Sequence, residues 1–118
     1  MRDGFPEKEG QAGSGDLLDA LRREGLRLLE QEEPRAACRV LERLLAEGGE
    51  RLAAGEESPG LLAVLRRGVA TLADCLAALA EDPVTRRAAL QALFQLYRSA
   101  ALQHADGLVQ EIPFVMLQ

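Results

Sequence analysis

Apolar residues recur every three or four positions along most of this chain, most regularly at Leu62, Leu65, Val69, Leu72, Leu76 and Leu79. Alternating steps of three and four line one side of an α-helix. Ser58 and Pro59 stand just before that run, a capping hydroxyl followed by a first-turn proline. Leu61, Val64, Gly68 and Cys75 widen the stripe, while Ala63, Ala70, Ala77 and Ala78 keep the back of the helix small. A helix apolar on most sides predicts a central place with neighbours on more than one face.

Three further helices follow from the same period. The first covers 16–31, capped by Ser14 or Asp16, with Leu17, Leu18, Leu21, Gly25, Leu28 and Leu29 on one face. The second opens at Pro34 and carries Ala37, Val40, Leu41, Leu44, Leu45 and Leu52 inward. Gly48 and Gly49 weaken it by roughly 1 kcal/mol each, which predicts a bend or a break, and Gly55 is its expected stop. The fourth opens at Asp82-Pro83 and is expected to reach about Gln110, with Leu90, Leu93, Phe94, Tyr97, Ala101, His104 and Leu108 sharing a face. Leu96 and Leu102 lie off that stripe. The helix starts at Pro34, Pro59 and Pro83 are nearly evenly spaced, but ordinary first-turn prolines explain them without an internal repeat.

Short links between these helices favour antiparallel neighbours. The fold class is therefore all-α: an antiparallel, up-down four-helix bundle over 16–110. Residues 1–15 hold four glycines and a proline without periodicity and are expected to form a disordered tail, and 111–118 form an apolar C-terminal extension.

Composition supports helices. Leucine (22) and alanine (19) dominate, against six Val, one Ile and two Thr. A chain of 118 residues, 47% hydrophobic, fits one domain with a real core. The net charge of −5 disfavours nucleic acid or anionic membrane as partner. Residues 16–57 carry eleven acidic and seven basic side chains, whereas 58–118 carry five of each. The neutral second half is thus the expected home of the core or of an interface. Arg66, Arg67 and Asp74 interrupt the most apolar run, so no membrane span is expected. Two cysteines and an N-terminus without a secretory pattern suit a reduced, cytoplasmic setting.

Candidate chemistry is sparse. His104 is the only histidine, and no ExxH or HxxxH spacing exists, so neither a metal nor another cofactor is expected. Cys75 and His104 would be the pair for a thiol-dependent enzyme, but Cys75 among Leu72, Leu76 and Leu79 reads as a small core residue. Glu32-Glu33 and Glu56-Glu57 read as solvated junction charges. Arg35, Arg39 and Arg43 recur every four residues and could grip an acidic partner, yet Glu42 and Glu47 dilute them into a solvated face. Tyr97 and His104 are the polar contacts for an alternative reading, a small apolar ligand held between the third and fourth helices.

The last eight residues, Glu111 to Gln118, include Ile112, Phe114, Val115, Met116 and Leu117. Each one left in water forfeits roughly 1.5 kcal/mol or more. They either plug their own bundle or dock on another chain, with Pro113 turning the chain into an extended segment. The expected function is a non-enzymatic interaction module: an adaptor, small complex subunit or chaperone-like binder. Its expected partner is a protein, in a homo-oligomer or small hetero-complex. The expected contact residues are Leu96, Leu102, Val109, Ile112, Phe114, Val115, Met116 and Leu117.

Overall fold

The structure, a computed structural model, describes residues 5–56 and 58–117, with side chains from residue 17 onward. Five helices occupy them: α1 (Phe5–Glu30), α2 (Pro34–Ala53), α3 (Pro59–Ala78), α4 (Pro83–Leu102) and α5 (Asp106–Met116). No strand occurs among the described residues. The all-helical expectation holds. The number of helices and the first boundary do not.

Helix α1 starts at Phe5 rather than near Asp16. Once a helix is nucleated, each added residue closes a hydrogen bond, and Glu7, Lys8, Glu9, Gln11 and Ala12 are good helix formers between the glycines. The tail expected over 1–15 is therefore helical from Phe5, and residues 1–4 lie outside the described residues.

Three helices end by the same device. Glu33 N–H donates to the Leu28 carbonyl (2.9 Å) and Glu32 N–H to the Leu29 carbonyl (3.0 Å). The same paired bonds close α2, through Glu56 and Gly55, and α4, through Ala105 and His104. Each is a Schellman turn with its hinge residue in the left-handed region: Glu32 at φ 61°, Gly55 at 99° and His104 at 59°. Gly55 is the stop expected from the sequence. His104 is not: it ends α4 at Leu102 and splits the long fourth helix into α4 and α5.

The starts of the helices are held as specifically. Ser58 Oγ accepts from Leu61 N–H (3.1 Å). Asp82 accepts from the backbone N–H and hydroxyl of Thr85 (3.1 and 2.9 Å) and pairs with Arg35, tying the beginning of α2 to that of α4. The Thr85 N–H, then Arg35 and the Thr85 hydroxyl, hold the Asp82 carboxyl below its usual range. Arg86 Nη1 donates to the Leu76 carbonyl (2.5 Å), which also accepts from Leu79 N–H (3.1 Å), and so ties α4 to the last turn of α3.

Helix α2 lies against α1, α3 and α4, and α3 touches all four other helices, as its apolar flanks predict. Helix α5 rests on α3 and α4, while α1 meets neither α4 nor α5 among the described residues. The core runs through Leu41, Leu44, Leu45 and Leu52 of α2, Leu65, Leu72 and Leu76 of α3, and Leu93 and Leu96 of α4. At the α2–α3 seam, a glycine on each helix faces a leucine on the other. A Cβ on Gly48 would fall 2.4 Å from Leu65 Cδ2, and one on Gly68 would fall 2.4 Å from Leu44 Cδ2. Gly25 of α1 receives Leu41 in the same way, at 2.7 Å. So Gly48 does not end α2, which runs on to Ala53. It lets α3 approach, and burial of leucine in the gap outweighs its poor helix propensity.

Candidate interaction surface on the C-terminal helix

The expected extended tail is a helix. Pro113 sits inside α5, where it removes one backbone hydrogen bond and crowds the carbonyl four residues earlier, at a cost of about 3 kcal/mol. Leu108 and Ile112, both wholly buried, offset it at about 1.5–3 kcal/mol each, and Val115 and Met116 add partial burial beyond the proline. The turn at His104 directs α5 onto α3 and α4. The Arg66–Glu111 ion pair (2.6 Å) then fastens it to α3, with Gly107 close enough that a Cβ there would lie 3.5 Å from the Arg66 side chain.

This docking sorts the eight expected contact residues. Leu96 and Ile112 are core residues, 1% and 0% exposed, and their assignment to a partner surface is corrected. Leu96 is covered because it faces Gly49 of α2; Ile112 is on the inner side of α5, four residues after Leu108. Val109, Val115 and Met116 are half-buried at the edge of the core. Leu102, Phe114 and Leu117 remain outside, at 74, 71 and 84% exposed. Gln110, Pro113 and Phe114 face out on α5, and Leu117, its C-cap with helical dihedrals, continues the same stripe. The segment thus plugs its own fold with one face and presents apolar side chains on the other.

The remaining candidates do not converge. Tyr97 packs half-buried against the core, and His104 is exposed in the α4–α5 turn. Cys75 meets Cys38 of α2 instead of His104, and both sulfurs are fully buried. The Cys75 sulfur, then burial, pushes the Cys38 thiol far up, so it stays protonated and unreactive. A mild alkylating electrophile should therefore label both cysteines at least about a thousandfold more slowly in the native chain than in urea, because labelling waits on opening of the core. Fast native labelling at Cys75, followed by mass spectrometry, would instead mark an accessible thiolate.

Among the described residues no group of three or more His, Cys, Asp or Glu side chains is placed to hold a metal ion. No helix among them is long and apolar enough to cross a membrane. The sequence reading missed the outer side of α4. The helical period places Phe94 on one face with Leu93, but Phe94 is 47% exposed, and Val84 is 79% exposed. The signal was present in Ala89, Leu93, Leu96 and Ala100, which form the true buried stripe and are half alanine. Comparisons with protein-family models, curated proteins and solved structures found no match.

Proposed function

We propose that this chain is a non-enzymatic protein-interaction module that associates through the outward side of α5, with Leu102 at the end of α4 as a further contact. The observation that carries this reading is the exposure of Phe114 and Leu117 on a helix whose opposite face is already docked. Large apolar side chains at that exposure gain about 1.5–3 kcal/mol each when a partner covers them. An antiparallel up-down arrangement of the first four helices belongs to the same reading, supported by links of only a few residues between helices that touch. A small adaptor or complex subunit, self-associating or paired with another protein, fits these features.

Light scattering of the full chain tests it. The wild type is expected to scatter above its 12.8 kDa chain mass. Leu102→Gln/Phe114→Gln/Leu117→Gln should return it to that mass with little change in melting. Glutamine preserves helix propensity and places no negative charge at the C-terminal end of α5. A wild type already at chain mass, with the variant unchanged, would count against self-association.

A further inference from the structure

A second surface lies between the outer sides of α2 and α4. An open groove of about 1030 Å³ runs there, with Leu90, Ala92 and Phe94 among its apolar lining. Arg39 and Arg43 from α2 and Arg87 from α4 stand around it, against a single acid, Glu42. Burial pushes the Glu42 carboxyl up, and Arg39 partly offsets that.

The balance of charge separates this groove from the one that Arg51 and Arg67 line, where Asp19 and Glu56 stand beside them. Arg22, Arg23, Arg27, Arg35 and Arg66 are each in an ion pair. Arg39, Arg43 and Arg87 are exposed, and none is in an ion pair among the described residues. Three cations outside any ion pair among the described residues, with only Glu42 beside them, therefore surround an apolar trough in a chain of net charge −5. Alanines 46, 88 and 92 keep the walls low, so a third helix can settle between α2 and α4 ridge into groove.

We propose that the α2–α4 groove receives an amphipathic helix of a partner protein, with acidic residues flanking its apolar stripe. The stripe covers Leu90 and Phe94, and its carboxylates pair with Arg39, Arg43 and Arg87. Helix-in-groove recognition supplies the apolar anchors, and the cations set orientation and charge preference. A polyanionic nucleic acid is the poorer fit: it leaves the apolar trough uncovered, the groove offers one aromatic for stacking, and the rest of the chain repels it.

The site is separate from α5, so its test is independent of the function proposed above. A yeast-displayed library of helical peptides about five turns long, varied in charge and apolar pattern, is selected on the full chain. Enriched peptides are then measured by fluorescence anisotropy at low and high salt. Acidic residues should flank an i, i+3, i+4, i+7 apolar stripe, and affinity should fall with salt. Arg39→Glu/Arg43→Glu/Arg87→Glu should bind at least about tenfold more weakly. Phe94→Ala should also weaken binding, whereas Phe114→Gln/Leu117→Gln should leave it unchanged. These positions are exposed, and circular dichroism melting confirms that each variant is folded. The proposal is overturned if no peptide is enriched, if enriched peptides lack an acidic bias, or if charge reversal leaves binding intact. It is equally overturned if a single-stranded DNA oligomer outcompetes them, or if the groove variant changes the mass of the free protein while no peptide binds, since a second copy would then be the occupant.

Discussion

Gly48→Val is expected to lower the unfolding free energy by about 3 kcal/mol, while Gly49→Ala next to it raises it by up to about 1 kcal/mol. The two glycines are neighbours in sequence and both are buried, yet they face different things. A Cβ at Gly48 meets Leu65 Cδ2 at 2.4 Å and Cγ at 3.0 Å. Leu65 is wholly buried, so it cannot swing aside without displacing further core atoms. Valine then adds two more carbons to a space already too small. Its better helix propensity returns only a few tenths of a kcal/mol. A Cβ at Gly49 meets Leu96 Cδ1 at 3.6 Å and Ser99 Oγ at 3.9 Å, which is ordinary contact. Alanine there gains propensity without strain. Thermal and urea denaturation should show Gly48→Val melting roughly 10 °C or more below the wild type, with Gly49→Ala a few degrees above it. Equal losses at both positions would mean that the glycines serve backbone flexibility, and the interlock with α3 would be wrong.

The sequence made the helical class, the inward faces of α2 and α3, and the stop at Gly55 legible, because period and capping chemistry are local. What it hid depended on tertiary partners. Gly48 and Gly49 look alike in any propensity scale, and only the leucine opposite tells them apart. His104 as a left-handed helix stop has no strong local signature, since histidine enters that region only occasionally. Missing it merged α4 with α5 and carried the inner stripe through Phe94 and Tyr97. The true stripe uses Ala89 and Ala100, which bury completely because α4 lies close to α2, whereas the larger Phe94 points out. Pro113 misled for the same reason: its local cost is real, and the burial of Leu108 and Ile112 outweighs it. For the candidate surface, composition located the apolar residues of the C-terminal segment. The sequence did not show which of them were already used by the chain's own core.

That distinction decides how the C-terminal segment should be probed. Removing residues 112–118 is expected to destabilise the fold itself, well before any effect on a partner can be read. Ile112 alone is wholly buried, and deleting such a side chain costs about 2–5 kcal/mol. Val115 and Met116, packed against the core, add to the loss. Against a total stability of roughly 5–15 kcal/mol for a domain, the truncated chain should melt far lower or fail to fold cooperatively. A change in its particle mass would then report exposed core. Phe114→Gln/Leu117→Gln separates the two effects: it alters only the outward stripe and should hold stability within about 1 kcal/mol. Circular dichroism melting of both proteins, alongside light scattering, gives the comparison. Loss of association in the point variant with an unchanged melt would assign the outer face of α5 to binding. A truncated chain that melts like the wild type would show instead that Ile112 adds nothing to the core, and the division of α5 into an inner and an outer face would fall.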